Sequence, residues 1–272
     1  MDVSVIILNY NTFELTCDCI KSVFEKTSQC SFEIIVVDNA STDRDPKDFI
    51  KLFPTIKLVV NEENTGFAKG NNAGIAVASG EYVLLLNSDT ELLNNAILYC
   101  LQSIKKHPSL SAVTCRLLYP DGTVQHNCQR FPSVGHRLFE LLRLQKVLPR
   151  KVAGRILLGY FFDYRSWTYP DWIWGTFFMF RRSLLGVLQN GKLAEDFFMY
   201  VEDMQWCKEF RKLGYEVAFE PRGEVVHYMG KSKANRDALM EVNVKKFLKR
   251  YHSPLEIFML ATLDRWLVNR SQ

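Results

Sequence analysis

The sequence predicts an α/β fold built on a mostly parallel central sheet, and three observations carry that reading. Continuous aliphatic runs suited to strands buried on both faces recur through the first 120 residues: Val3 to Leu8, Glu33 to Asp38, Ile56 to Val60, Tyr82 to Leu86 and Ala112 to Leu118. Helical patterns separate them, at Phe13 to Glu25, Pro46 to Phe53, Phe67 to Ala78 and Glu91 to His107, and such alternation covers a parallel sheet with helices. The residues that follow the strands are polar and distinctive. In these sheets ligands bind beyond the carboxyl ends of the strands, so those residues are the ones to weigh.

The later elements are less regular. Pro120-Asp121-Gly122-Thr123 reads as a hairpin tip. From Gly135 to Arg165 the pattern is helical and amphipathic; Asp171 to Arg181 reads as a strand, Asp203 to Leu213 as a helix, and short strands are expected near Val217 and Val225. From about Asn235 the chain reads as helical, with a break at Pro254. No internal repeat or low-complexity linker is visible. The expected organisation is one domain over residues 1–230, its halves 1–120 and 121–230, with an amphipathic insert at 135–165 and a basic helical tail at 231–272.

Composition narrows the classes. In 272 residues, 47% are hydrophobic and 24% charged, which excludes a disordered chain, a collagen or a disulfide-stapled miniprotein. No apolar run reaches the roughly 18 residues that span a bilayer, and the start, Met1-Asp2-Val3-Ser4, lacks the basic region of a signal peptide. Seven cysteines without a CxxC spacing read as reduced thiols, so a cytoplasmic location is expected. Residues 135–165 hold seven Lys/Arg against two acids, and residues 231–272 hold nine against four, although the whole chain carries only +4. Because these basic segments are also rich in Leu, Phe and Ile, they point to an anionic membrane surface, peripherally bound, and not to a nucleic acid. Packing on the body of the protein, or a homodimer interface, is the competing reading.

No GxGxxG follows the first strand and no Walker lysine motif is present, which argues against a Rossmann dehydrogenase or a P-loop enzyme. What remains is a set of acids and amides suited to a nucleotide held through base, ribose and metal-bridged phosphates. Asn9 and Asn11 follow the first strand. Asp38 ends the second and either accepts from a pyrimidine N3–H or caps the turn through Ser41 and Thr42. The run from Asn64 to Gly74, which includes Gly66, Lys69, Gly70 and Asn71, opens a helix with a glycine and asparagine content that helix stability would not select. Close helix–sheet packing accounts for Gly74 but not for the asparagines. Asn87-Ser88-Asp89 follows the fourth strand, where Asp89 suits a hard divalent cation or, equally simply, a helix N-cap. Glu202-Asp203 follows Phe197-Phe198-Met199-Tyr200, so the pair is a general-base candidate or an ordinary acidic first turn. His227 is a metal-ligand candidate, and Trp172 and Trp174 either flank a cleft or belong to the core.

Taken jointly, the motifs resemble the family-2 glycosyltransferases, and within them the rhamnosyltransferase-like branch. The matching pieces are Val5 to Asn11, Val36 to Asp43, the Asn64 to Gly74 loop, Leu86 to Thr90, Gly175 to Arg182 and Phe197 to Asp203, in the family's order. The resemblance implies a GT-A fold, with a nucleotide-sugar half and an acceptor half, and an inverting transfer in bacterial surface polysaccharide synthesis. The donor would be a nucleoside-diphosphate sugar, dTDP-rhamnose or a UDP-sugar, and the acceptor a saccharide, expected to be lipid-linked at the inner face of the membrane. Asp38 would hold the base, Asp89 and His227 a Mg2+ or Mn2+ ion on the diphosphate, and Asp203 would deprotonate the acceptor. Asn87 stands where other members carry the first Asp of a DxD, and Gln205-Trp206 where many continue Asp-Leu. A sugar nucleotidyltransferase would need a basic glycine-rich loop after the first strand, which Asn9-Tyr10-Asn11 is not. A non-catalytic scaffold would not need the Glu202-Asp203 pair.

Overall fold

The computed structural model describes residues 1–229 and 236–269. The first half is the expected alternation: β1 (Val3–Asn9), α1 (Phe13–Lys26), β2 (Phe32–Asp38), α2 (Lys47–Leu52), β3 (Lys57–Val60), α3 (Gly66–Ala76) and β4 (Tyr82–Asn87). There follow β5 (Thr90–Leu92), α4 (Ala96–Lys106), β6 (Leu110–Leu118), β7 (Val124–Gln125), β8 (Cys128–Gln129), α5 (Val134–Leu141), α6 (Arg150–Leu157), β9 (Trp172–Ile173) and β10 (Phe177–Arg181). The chain continues through α7 (Glu202–Lys212), β11 (Glu216–His227), α8 (Arg236–Tyr251) and α9 (Pro254–Asn269).

Among the described residues the main sheet runs β3-β2-β1-β4-β10-β6-β11-β5, with β7 on β6. Strands β3, β2, β1 and β4 are parallel. The interior residues of β1, β2 and β4 are buried on both faces, as continuous Val/Ile/Leu runs require, whereas β3, expected to be buried likewise, is the edge strand and its residues are exposed or half-buried. β10 runs antiparallel between β4 and β6. That reversal sets Phe177 opposite Leu86, so the segment entering β10 lies at the carboxyl end of β4, where a ligand would bind. β11 is parallel to β6 and ends with His227 opposite Thr90 of β5.

One face of the sheet is covered by α1 and α4 through Cys17, Ile20, Val23, Ile97, Leu101 and Ile104. The other is covered by α3, α7 and α8 through Ala68, Ile75, Trp206, Phe210 and Phe247. Full burial of each Ile, Leu, Val or Phe among them stabilises the fold by roughly 1.5–3 kcal/mol. α8 is therefore part of the core's cover: Phe247 is fully buried and stacks with Phe131. The boundary expected at residue 230, with Gly230, Lys231, Lys233 and Arg270 of the basic tail, lies outside the described residues.

Several element expectations are corrected. The helix expected from Glu91 begins at Ala96, because Thr90–Leu92 pairs with β11 as an edge strand; Asp89 is accordingly no helix N-cap. The strand expected over Asp171 to Arg181 is two, β9 and β10, which join different sheets. The two short strands near Val217 and Val225 are one, bulged between Glu220 and Glu224, so Pro221 and Gly223 interrupt the pattern without ending the strand. The insert, expected to be helical from Gly135 to Arg165, is helical over Val134–Leu141 and Arg150–Leu157 and is broken at Arg143, whose φ is 55°. All seven cysteines are free.

Candidate active site

The carboxyl ends of β1, β2 and β4 bring the candidate residues into one rim. Register places Asn9 beside Asp38 and Leu8 beside Asn87. Asn9 Nδ2 donates to Asp38 Oδ2 at 2.7 Å and to Ser41 Oγ at 2.9 Å, while the Ser41 backbone N–H donates to Asp38 Oδ1 at 3.0 Å. The turn-capping role of Asp38 is thus real. Each carboxylate oxygen has a further lone pair, so capping leaves base recognition open. Asn11, at φ 54°, accepts from the Thr42 backbone N–H at 2.7 Å and ties the two loops together.

The loop opening α3 is organised by Asn39. Its Oδ1 accepts from Asn61 Nδ2 at 2.9 Å and from the Thr65 N–H and hydroxyl at 3.1 and 3.0 Å, and its Nδ2 donates to Asn64 Oδ1 at 2.8 Å. Gly66 has φ +81°, and a Cβ there would lie 2.3 Å from the Phe198 carbonyl oxygen. Only glycine permits that approach, which seats the 197–201 turn on α3 with the Phe67 N–H donating to Phe198 O at 2.8 Å. Gly70 and Gly74 pack on Leu8, Ile6 and Val37 of the sheet, so close packing explains both. Asn71 donates to the Phe67 carbonyl of its own helix at 2.9 Å. Lys69 is exposed on α3.

At the end of β4, Ser88 Oγ lies 3.0 Å from Thr12 Oγ1. Asp89 is nearly buried, and its Oδ1 is 3.3 Å from His227 Nε2. Gln125 Nε2 donates to the carbonyl of His227 at 2.8 Å, so Gln125 Oε1, 2.8 Å from His227 Nδ1, is left to accept the Nδ1 proton. Nε2 then carries the lone pair and faces Asp89 and Asn87, whose Nδ2 is 3.4 Å away. Asn87 Oδ1 is buried without a hydrogen-bond partner. Among the described residues no group of three His, Cys, Asp or Glu side chains converges on a metal position. One carboxylate, one oriented imidazole and one orphaned amide oxygen nevertheless fit a divalent cation whose remaining positions go to phosphate and water.

The acidic pair opens α7. Tyr200 and Val201 both adopt positive φ, 69° and 77°, a conformation costing about 1–3 kcal/mol at each residue and concentrated at functional sites. The turn aims Asp203 at the segment entering β10: Asp203 Oδ2 accepts from the Gly175 N–H at 2.9 Å, and Oδ1 from the Met204 N–H at 2.8 Å. One residue on, the Thr176 carbonyl accepts from the Asn87 N–H at 3.0 Å, so the acid pair and the β4 end share one strip of backbone. Burial raises the Asp203 carboxyl above the usual carboxylate range against the pull of its backbone donors. Glu202 is raised further, by burial first and by the Asp203 charge second, and its Oε2 has no partner. Two carboxylates pushed apart in affinity for protons suit general-base work. Of the tryptophans, Trp172 donates to the Arg130 carbonyl at 3.1 Å and Trp174 packs on the core.

Some contributions depend on partners far away in sequence. Gln125 reaches His227 across 102 residues. Asn72 of α3 clasps the Leu193 backbone in both directions, at 2.8 and 3.2 Å. Asn243 of α8, nearly buried, donates to the Met199 and Tyr200 carbonyls at 2.8 and 3.3 Å and so braces the strained turn. Asn243→Asp, which loses the donor at constant size, is expected to lower kcat about tenfold, a barrier change of about 1.4 kcal/mol, with the donor KM unchanged. Steady-state kinetics check this; equal effects on both constants would make Asn243 merely structural.

A family model described as "Glycosyl transferase family 2" matches residues 4–188. The chain is 24% identical over 259 residues to an N-acetylglucosaminyl-diphospho-decaprenol L-rhamnosyltransferase of Mycobacterium tuberculosis, covering 86% of this chain and 76% of that protein. It is also 24% identical over 247 residues to an uncharacterised protein of Sinorhizobium fredii, of whose length it spans only 25%. Among solved structures, a mannosyltransferase from Pyrobaculum calidifontis in complex with GDP-Man and Mn2+ superposes with a TM-score of 0.61 at 19% identity, over 99% of this chain and 74% of that one.

Proposed function

This chain belongs to glycosyltransferase family 2 and has the GT-A fold, and from that premise we propose an inverting, cation-assisted transfer of rhamnose from dTDP-rhamnose to a lipid-linked saccharide. The observation that carries the reading is the Glu202-Asp203 pair, raised in pKa and aimed by a strained turn at the backbone strip that also holds Asn87. Burial raises both carboxyls, Glu202 the more strongly because the Asp203 charge adds to its burial, so the pair shares one readily moved proton near neutral pH.

In the proposed mechanism the acceptor hydroxyl lies against Asp203, which takes its proton as the oxygen bonds to the anomeric carbon. The bond from that carbon to the diphosphate oxygen breaks on the opposite face, its electron pair leaving with the nucleotide, so the configuration inverts in one displacement. Asp89, His227 and the Asn87 amide oxygen would hold Mg2+ or Mn2+. When bound, the cation neutralises charge growing on the leaving diphosphate. Asp38 accepts from the N3–H of a pyrimidine, and Asn9 and Ser41 fix its orientation. The tilt to rhamnose and to a lipid-linked acceptor is supported by the sequence motifs and by the mycobacterial relative.

Thermal-shift competition tests this, since a ligand of the native state raises its melting temperature. With Mn2+ present, dTDP and UDP should both stabilise the chain and GDP should not. A preference for GDP would overturn the base assignment, and no response to any of the three would leave a scaffold role.

A further inference from the structure

α9 is apolar on two opposite sides. Ile257, Leu260 and Leu267 face the body of the protein, with Leu260 buried, while Leu255, Phe258, Met259 and Trp266 form an outer stripe exposed to solvent. A helix that is apolar all round needs cover on both sides. The insert beside α9 exposes apolar residues of its own. α5 packs along α9, and Arg137 Nε meets Asp264 Oδ1 across them at 2.8 Å. Together the two segments expose Leu142, Val147, Tyr160, Leu255, Phe258 and Trp266 at 59% to 81%. Single exposed apolar residues are ordinary; a concentration of this size marks an interaction surface.

Charge identifies the occupant. Arg143, Lys146, Arg150 and Lys151 of the insert and Arg265 of α9 are exposed, and none forms an ion pair with a described residue. Of the acids on α5 and α9, Glu140 and Asp264 pair with Arg137, and Glu256 accepts from the Ser253 N–H and hydroxyl at the start of α9. A two-fold dimer would press this cationic face against its own copy, whereas a bilayer with anionic headgroups offers hydrocarbon to the stripe and negative charge to its rim. No helix among the described residues is long and apolar enough to cross a membrane.

We propose that the α5–α6 insert and the outer stripe of α9 form one surface that docks this protein in the plane of an anionic lipid bilayer. The claim goes beyond the proposed reaction and is tested without donor or acceptor, so either can fail without the other. The full chain is sedimented with phosphatidylcholine vesicles, with and without phosphatidylglycerol, at low and high salt. Binding should require phosphatidylglycerol and weaken as salt screens the charges. Lys146→Ala with Arg150→Ala should weaken it about 25-fold, at roughly fivefold per cation. Phe258→Ser with Trp266→Ser should also abolish sedimentation while leaving the melting temperature and nucleotide binding unchanged. Equal binding to neutral vesicles, no binding to anionic ones, or a dimer in solution that the Phe258 and Trp266 substitutions dissociate would overturn the proposal.

Discussion

Asp203→Asn is expected to lower transfer at least about 100-fold, the scale for losing a positioned general base, while nucleotide diphosphate binding survives. The substitution removes the proton acceptor and leaves one oxygen, able to accept from the Gly175 N–H while the Met204 N–H loses its acceptor, so the variant's melting temperature is measured alongside its rate. The pH dependence follows from the same burial. The Asp203 carboxyl is pushed up to about 6, so the wild-type rate should fall as pH drops through about 6, well above where an ordinary carboxylate would place that limb. Stability runs the other way. A carboxyl raised by folding favours the native state while protonated, so the pair's contribution is full in acid and is lost as pH rises through its native pKa. The melting temperature should therefore decline as pH rises through about 6 and beyond, and Glu202→Gln should reduce that decline. Stopped assays across pH and parallel melts check both. Near-normal turnover in Asp203→Asn would pass the base role to Glu202.

Much of this arrangement is legible in the sequence because it is local. The run Val3 to Leu8 can only be a doubly buried strand, and Asn9 must then stand at its carboxyl end, as found. The same logic places Asp38 and Asn87. What is not legible depends on pairing between distant segments. Thr90–Leu92 looks like the start of a helix until β11 arrives beside it, and Asp89 acquires its neighbour His227 only through that pairing. The antiparallel course of β10 has no sequence signature, yet it delivers Gly175 and Thr176 to the end of β4. The polar braces follow the same rule. Asn39 and Asn72 stand in motifs that the sequence marks, but their bracing role, like the whole of Asn243's, becomes specific only once the partner carbonyls and amides are folded around them. Glycines mislead in the opposite direction: Gly70 reads as a place for ligand approach and is filled by Leu8.

Asp89→Ala is expected to remove the dependence of nucleotide affinity on a divalent cation altogether. Isothermal calorimetry of dTDP binding with and without Mn2+ is the measurement: wild type should bind tighter with the ion, and the variant equally in both conditions. His227 would contribute to the cation site as much as Asp89 does. An imidazole whose Nδ1 proton is engaged by Gln125 presents Nε2 as an electron-pair donor, and that lone pair beside the Asp89 carboxylate would be stabilised by a divalent cation held by the two residues. Gln125→Met, similar in volume but unable to accept, should therefore weaken the Mn2+ effect about 10- to 100-fold, the usual cost of losing the partner that orients a ligating histidine. It touches neither nucleotide nor acceptor in the proposed mechanism, so affinity without the ion should not change. The same Mn2+ enhancement in Asp89→Ala as in wild type would move the cation away from the end of β4. The raised acid pair would then be the remaining chemical anchor of the site.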